Sequence, residues 1–189
     1  MQKRALRTEP VTRKCKDFGQ VKELYVNSFP KHERIPMPFL LWKSGKKFVD
    51  FVAFYDEDTF VGFAYLVMDK GITFVLFLAT SPELRSKGYG TDILSLLQKQ
   101  YADSRIILNI EALEDGASNA EQRVKRKNFY LNNGFRNAGF SLVEYGQLYE
   151  VLVYGDNVTS REYRGLMHAF VGGPLSFLFV PKFIEGNGV

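Results

Sequence analysis

Hydrophobic positions follow two different spacings along this chain of 189 residues, and the changes of spacing predict alternating strands and helices. Residues 72–79 are almost all apolar and rich in β-branched and aromatic side chains, which is typical of a strand buried on both faces. Further on, Ile93, Leu94 and Leu97 recur at helical spacing and predict a helix over residues 89–102. A buried strand is therefore followed closely by an amphipathic helix.

The remaining segments complete the pattern. Further strands are predicted at residues 5–12, 48–55, 60–68, 106–111, 136–145 and 147–154, and further helices at residues 17–29, 39–43, 119–132 and 160–170. Turn residues at 56–58 make the second and third strands a β-hairpin. Antiparallel strands, then β-α-β-α, then further strands predict a single α/β domain over residues 1–189. Its core would span about residues 5–155, and residues 156–189 would be an extension.

Composition excludes several classes of protein. Hydrophobic residues make up 46% and charged residues 24%, with a net charge of +4, so neither disorder nor a basic nucleic-acid surface is expected. One cysteine, Cys15, cannot form an intrachain disulfide and fits a cytoplasmic protein. No apolar run approaches a membrane span, and no apolar stretch of a secretory signal follows the N-terminus. With only two histidines and no metal-binding motif, we expect no metal.

Residues 85–90 read RSKGYG and lie between the buried strand and the amphipathic helix. Gly88 and Gly90 allow the backbone to approach a ligand closely and to adopt φ values that other residues avoid. Amides at a helix N-terminus attract anions, and Arg85 and Lys87 would add positive charge. The turn matches neither GxxxxGK[ST] nor GxGxxG. It therefore predicts a pyrophosphate site of another kind, and the alternative is an ordinary turn with solvated cations.

Two segments resemble one enzyme family. Residues 78–90 resemble the acetyl-CoA signature of the Gcn5-related N-acetyltransferase (GNAT) family, and residues 128–135, NFYLNNGF, resemble its FYxxxGF element. The resemblance covers about residues 5–155. It implies a GNAT-like mixed sheet, acetyl-CoA (coenzyme A) as the cofactor, and acetyl transfer to a primary amine.

The resemblance also implies a role for each matching position. The main chain of Leu78 and Thr80 would pair with the pantetheine arm, and Tyr130 would lie near the thioester sulfur. The amides that would surround the pyrophosphate are those of Ser86, Lys87, Gly88, Tyr89, Gly90 and Thr91, with charge from Arg85 and Lys87. Many family members carry an asparagine seven residues before the tyrosine, where this chain has Arg123. Asn119 lies one turn earlier, so which of the two meets coenzyme A is open.

Tyr130 is the candidate acid that would protonate the leaving thiolate. A tyrosine has an ordinary pKa near ~10 and can donate a proton at neutral pH. Its spacing from Asn119, Arg123 and Arg126 places all four on one helical face, so Arg126 is a candidate contact to the anionic cofactor. The alternative is that Tyr130 belongs to the hydrophobic core.

Two glutamates are candidates on the acceptor side. Glu111 ends the strand at residues 106–111, at the sheet edge where such folds bind ligands, and could remove the ammonium proton directly or through water. Glu33 lies in a proline-bounded loop that, by the resemblance, would line the acceptor site, and the adjacent His32 is a further candidate. Taken singly, each glutamate fits a structural or solvated role better than a catalytic one.

The sequence thus predicts a cytoplasmic, acetyl-CoA-dependent N-acetyltransferase that acts on a primary amine of a small molecule or peptide. One alternative is a non-catalytic acyl-CoA-binding sensor module. Another is an acetyltransferase that acts on aminoacyl-tRNA or a protein. The apolar tail at residues 175–180 could cover the chain's own core or a second copy, so a homodimer is left open.

Overall fold

The computed structural model describes residues 4–114, 116–144, 146–172 and 181–185. The described strands are β1 (Arg7–Pro10), β2 (Val49–Asp56), β3 (Thr59–Asp69), β4 (Ile72–Thr80), β5 (Arg105–Glu111), β6 (Arg136–Glu144), β7 (Gln147–Tyr154) and β8 (Lys182–Glu185). The described helices are α1 (Phe18–Ser28), α2 (Met37–Lys43), α3 (Tyr89–Gln100), α4 (Ala120–Asn132) and α5 (Ser160–Val171).

These strands form one sheet in the order β1-β2-β3-β4-β5-β7-β6-β8. Antiparallel ladders join β1 to β2, β2 to β3, β5 to β7, β7 to β6 and β6 to β8. By contrast, β4 and β5 run parallel, with Ile72 opposite Arg105 and Phe74 opposite Ile107. The predicted fold, a mostly antiparallel α/β sheet with a C-terminal helix and strand, is confirmed.

Two boundaries differ from the sequence prediction for local reasons. The first strand, predicted at residues 5–12, spans only Arg7–Pro10, because the chain turns at Thr12, whose carbonyl accepts a hydrogen bond from the Cys15 amide at 3.0 Å. Helix α2 begins two residues earlier than predicted, since Pro38 occupies its first turn, where no amide hydrogen is needed. The apolar tail at residues 175–180 lies outside the described residues.

The chain divides into two compact units. The first comprises Met1–Val67 and Val75–Gln100. Its predicted β-hairpin is confirmed, with Phe51 opposite Tyr65 and both side chains buried. Helix α1 packs on the sheet through Tyr25, whose ring centre lies 6.2 Å from that of Phe63 in the hairpin and 5.0 Å from that of Phe77 in β4. Packing between buried aromatic residues thus stabilises the strands that lead to the predicted cofactor turn.

The second unit comprises Met68–Phe74 and Tyr101–Val189. Tyr163 of α5 is the centre of its aromatic core, 5.3 Å from the Phe74 ring and 5.6 Å from the Phe183 ring. A capping box between Thr159 and Glu162 starts this helix, because each residue satisfies an amide of the other. In the same unit β5 carries Glu111 at its end, and α4 follows.

Candidate functional site

The turn that the sequence singles out connects β4 to α3 within the first unit. A short 3-10 turn over Pro82–Leu84 leads into it, and α3 begins at Tyr89. Ser86 has a φ of 60° and Gly88 a φ of 89°. A serine seldom adopts this left-handed conformation, and such strain is often found at functional turns. Residues of alternating hand direct successive N–H groups toward a common point and so form an anion-binding nest.

The backbone amides of this turn are available to a ligand. Within the described ranges, none of the six N–H groups of residues 86–91 donates a hydrogen bond. The N–H of Asp92 is the first to bond back along the helix, to the Gly88 carbonyl at 3.1 Å. Unbonded amides at a helix N-terminus carry partial positive charge. The turn therefore presents a set of oriented donors, as the predicted pyrophosphate site requires.

Two cations flank these amides. The side chains of Arg85 and Lys87 are exposed, and neither forms an ion pair with any residue that the structure describes. Their charge therefore adds to the positive end of the α3 dipole. The turn combines directional donors with two exposed positive charges, which suits a diphosphate better than a single carboxylate.

The end of β4 supplies a second backbone feature. Ser81 donates its N–H to the Val61 carbonyl at 2.8 Å, so its main chain faces β3. The two strands are antiparallel neighbours, joined by a two-residue turn at 70–71 with positive φ angles. Main-chain groups alternate in direction along such a strand. Those of Leu78 and Thr80 therefore point away from β3, as the predicted pairing with an extended ligand requires.

In the second unit, a cluster of polar side chains surrounds Glu111 at the end of β5. Arg126 donates from Nη1 to Oε2 of Glu111 at 2.9 Å, and Asn119 donates from Nδ2 to Oε1 at 3.1 Å. Nη2 of Arg123 lies 3.4 Å from Oε1 of the same carboxylate. The polar face of α4 predicted from spacing thus converges on one carboxylate. Because the Glu111 carboxylate is already bonded to two guanidinium groups and an amide, the contacts favour an anchoring role, and the role of base stays a prediction.

Arg123 is a structural residue in this arrangement. Its side chain is only 6% exposed. It donates from Nη1 to the Ala112 carbonyl at 2.8 Å and from Nε to Oδ1 of Asn119 at 2.8 Å. Nη1 also lies 3.2 Å from Oε2 of Glu114. The guanidinium therefore connects α4 to the chain just after β5. By the resemblance, many family members would carry the shorter asparagine at position 123.

Tyr130 lies near the end of α4 and is half-buried. Its ring packs edge-on against Phe129 at 5.1 Å and Phe135 at 5.6 Å between ring centres. Burial raises the pKa of Tyr130 to about 12, and the charge of Arg126 partly opposes this rise. Its hydroxyl has no hydrogen-bond partner among the described residues. Tyr130 is thus an aromatic packing residue whose hydroxyl stays protonated and available at neutral pH.

The other acceptor-side candidates lie in the first unit, between α1 and α2. Nε2 of His32 lies 4.0 Å from Oε1 of Glu33, whose side chain is 25% exposed. The amide of Glu33 donates to the Pro30 carbonyl at 3.0 Å, so the loop is a tight turn. These contacts do not indicate a catalytic role for either residue, and the role of Glu33 at the acceptor stays a prediction.

One residue near the turn has no signal in the sequence. Arg4, just before β1, donates from Nη1 to the Lys87 carbonyl at 3.0 Å. A lone arginine near the N-terminus matches no motif and no periodic pattern. The spacing of residues along the sequence does not show that Arg4 lies next to the turn, and only the folded structure does.

In the described ranges, no group of three or more His, Cys, Asp or Glu side chains is arranged to hold a metal ion. None of the helices in those ranges combines the length and the hydropathy that a membrane span needs.

The segment that contains the turn and α4 matches a known protein family. Residues 48–137 match the family model described as an acetyltransferase (GNAT) domain. That segment runs from β2 to the beginning of β6 and contains both motifs. The resemblance to the GNAT acetyltransferases inferred from the two motifs is therefore confirmed over this segment.

Solved structures share the fold at low sequence identity. A protein assigned to the GNAT family from Bacteroides thetaiotaomicron is 24% identical, with a TM-score of 0.70 over 87% of this chain and 97% of its own. The ribosomal-protein-S18-alanine N-acetyltransferase from Escherichia coli is 13% identical, with a TM-score of 0.61 over 82% and 96%. An aminoglycoside 6'-N-acetyltransferase complexed with coenzyme A is 17% identical, with a TM-score of 0.58 over 78% and 95%. Among curated protein sequences, no significant match is found.

Proposed function

We propose that this chain is an acetyl-CoA-dependent N-acetyltransferase that acts on a primary amine of a small molecule or a peptide. The observation that carries the proposal is the set of six amides at residues 86–91, which have no partner among the described residues. Bound acetyl-CoA would supply a thioester as the acetyl donor. The GNAT match over residues 48–137 supports the same class of reaction.

The residues of the first unit fit the cofactor. The amides of residues 86–91 would bind the pyrophosphate, and Arg85 and Lys87 would balance its charge. The outward main-chain groups of Leu78 and Thr80 would pair with the amides of the pantetheine arm, in the manner of an added strand. A donor of the same edge could stabilise the developing oxyanion, which is worth ~3–4 kcal/mol in other acyl-transfer sites.

Three residues of the second unit enter the proposal through the proton or the charge that they carry. The Tyr130 hydroxyl, with its pKa raised to about 12 by burial, would hold the proton that the leaving sulfur takes up. Arg126 keeps part of its guanidinium exposed and stays a candidate contact to the anionic cofactor. Glu111 would hold that guanidinium in place, because their Nη1–Oε2 distance is 2.9 Å.

The acceptor is limited by the comparisons only to a broad class. The similar structures include one enzyme named for a ribosomal-protein alanine and one named for an aminoglycoside. Both share the fold at identities below 20%, so the fold is compatible with a peptide or a small-molecule amine. We therefore propose a primary amine without choosing between them.

A coenzyme A-binding module without turnover is the second candidate. The contacts of Glu111 favour it, because the strand residue expected to act as base is paired with two guanidinium groups. Such a module would use the turn at residues 86–91 and leave the thioester intact.

Calorimetric titration with coenzyme A, followed by a thiol-release assay with acetyl-CoA and a panel of primary amines, tests the proposal. We expect binding together with thiol release that depends on at least one amine. Binding without acceptor-dependent release across the panel would support the module instead. Absence of binding would reject both candidates.

A further inference from the structure

Arg4 joins the centre of the cofactor turn to the first turn of α3. Its Nη1 donates to the Lys87 carbonyl at 3.0 Å and to Oδ2 of Asp92 at 2.9 Å. Its guanidinium lies over the Tyr89 ring, 4.4 Å from the ring centre. The Asp92 side chain is only 8% exposed, so its carboxylate is largely shielded from water, whereas the Arg4 side chain is 32% exposed. All four residues belong to the first unit.

The bond to the Lys87 carbonyl determines where the next amide points. In a planar trans peptide, the C=O of one residue and the N–H of the next point in opposite directions. Arg4 holds the Lys87 carbonyl on its own side, so the Gly88 N–H is directed to the other side, where Arg4 is not. Gly88 has a φ of 89° and no hydrogen bond from its amide among the described residues, so the turn's own backbone does not fix this peptide.

The bond to Asp92 compensates a negative charge next to the same turn. Asp92 lies in the first turn of α3, where a carboxylate is itself an anion attracted to the helix N-terminus. A phosphate that binds there would meet a like charge. Pairing with Arg4 offsets that charge and holds the carboxylate away from the amides of residues 86–91.

Tyr89 connects the start of α3 to the sheet. Its hydroxyl donates to Oδ2 of Asp56, at the end of β2, at 2.7 Å. That hydrogen bond is the main cause that raises the pKa of Tyr89, so the phenol stays neutral under the Arg4 guanidinium. Nε of Arg4 also lies 3.9 Å from the same carboxylate oxygen. The start of α3 is therefore connected to the sheet through Asp56 and to the N-terminal segment through Arg4.

We infer that Arg4 is a positioning residue for the cofactor: it orients the Gly88 amide toward the pyrophosphate and neutralises Asp92 beside it. This inference rests on the proposed function, because it assumes that the turn binds coenzyme A. Arg4 contacts the turn on the side of a carbonyl and acts through Gly88 and Asp92.

The test compares Arg4→Ala with Arg7→Ala. Arg7 is a matched control, since its guanidinium also lies over a tyrosine ring, 4.8 Å from the centre of Tyr55, but it has no described contact with the turn. Calorimetry gives Kd for coenzyme A, steady-state kinetics give KM and kcat, and thermal unfolding gives Tm. We expect Arg4→Ala to raise Kd and KM by about tenfold or more, the size that supporting residues have at other sites, with kcat within about twofold.

Two further variants separate orientation from charge and from folding. Arg4→Lys keeps the charge without the planar fork and should recover only part of the affinity. Asp92→Asn introduced into Arg4→Ala should also recover part of it, because the unpaired carboxylate is gone. Arg4→Lys can be measured even where Arg4→Ala itself does not fold, and an affinity equal to wild type in Arg4→Lys would contradict the orienting role. Where Arg4→Ala folds, no recovery from Asp92→Asn would contradict the neutralising role.

Failure of the inference is distinct from failure of the proposed function. If wild type binds no coenzyme A, the proposed function is rejected. If wild type binds and Arg4→Ala binds as tightly as Arg7→Ala, the function stands and the role of Arg4 is rejected. If Arg4→Ala lowers Tm without raising Kd, Arg4 has a structural role and the inference is likewise rejected.

Discussion

Gly62 of β3 lies so close to the backbone of Ala79 of β4 that a β-carbon on it would overlap the Ala79 carbonyl oxygen and lie 3.0 Å from Cα of Thr80. Neither neighbour is a flexible side chain, so the contact cannot be relieved without moving the strand. The end of β4 carries the outward main-chain groups of Leu78 and Thr80. A glycine on one strand therefore sets the position of the edge that is proposed to pair with the cofactor.

Replacing Gly62 with alanine should therefore displace the end of β4. We expect a loss of about 1–3 kcal/mol in the free energy of unfolding, as other overpacked sites show, together with a weaker affinity for coenzyme A. Denaturant unfolding and calorimetry measure the two effects. The stability loss follows from overlap with main-chain atoms, and the affinity loss from the shift of Thr80.

Gly19→Ala is the matched control. Gly19 lies in α1 of the same unit and would place a new β-carbon in open space, so alanine should stabilise the protein by up to about 1 kcal/mol without changing affinity. Equal behaviour of the two variants would show that the Gly62 contact does not position β4.

Gly88→Val should abolish binding of coenzyme A. The substitution puts a branched side chain at a φ of 89°, which valine avoids, and fills space next to the amides of residues 86–91. Calorimetric titration measures the loss. Gly71→Val is a control for backbone strain alone, because Gly71 has a φ of 74° in the tight turn between β3 and β4. Binding unchanged in Gly88→Val would exclude this turn as the pyrophosphate site.

Tyr130→Phe should lower kcat by about 100-fold while Kd for coenzyme A stays nearly constant. The pH dependence is equally specific. Burial raises the pKa of Tyr130 to about 12, so the folded protein keeps the neutral hydroxyl beyond the ordinary tyrosine pKa of about 10. The ratio of wild-type to Tyr130→Phe kcat should therefore stay constant from about pH 7 to about pH 10.

An unchanged kcat in Tyr130→Phe would remove the tyrosine from the proposed proton transfer. A kcat ratio that falls with a midpoint well below pH 10 would mean that the hydroxyl ionises earlier than its buried position implies.

Glu111→Gln should lower the free energy of unfolding by about 1–3 kcal/mol, because the guanidinium groups of Arg123 and Arg126 lose a charged acceptor. Chemical denaturation measures this loss. Glu121→Gln is the control, since Glu121 forms an exposed pair with Lys125 and should change stability little. If Glu111→Gln instead leaves stability unchanged and removes the acidic limb of the pH–rate profile, Glu111 is the base and the anchoring role is wrong.

The order of elements could be predicted because each element depends on neighbouring residues. The apolar run at residues 72–79 and the helical spacing of Ile93, Leu94 and Leu97 predict a strand and a helix whose observed bounds, Ile72–Thr80 and Tyr89–Gln100, agree within two residues. The turn at residues 85–90 could be located for the same reason, since its glycines and cations lie within one short segment, and its binding of a cofactor stays a prediction.

The partners of the charged side chains could not be predicted, because they join residues far apart in sequence. Arg4 and Lys87 are 83 positions apart, and Arg126 and Glu111 are 15 apart. Helical spacing places the polar residues of α4 on one face but does not show what that face meets. In the structure this face surrounds Glu111, and its contact with an anionic cofactor stays a prediction.

The most direct test of the central claim is the amide spectrum of the isotopically labelled protein during titration with coenzyme A. If the turn binds the diphosphate, the N–H resonances of residues 86–91 should shift most and move downfield, as amides that gain charge-assisted hydrogen bonds do. Pantetheine, which lacks the diphosphate, should leave them in place. Saturable binding of coenzyme A that leaves these resonances unshifted would contradict the account.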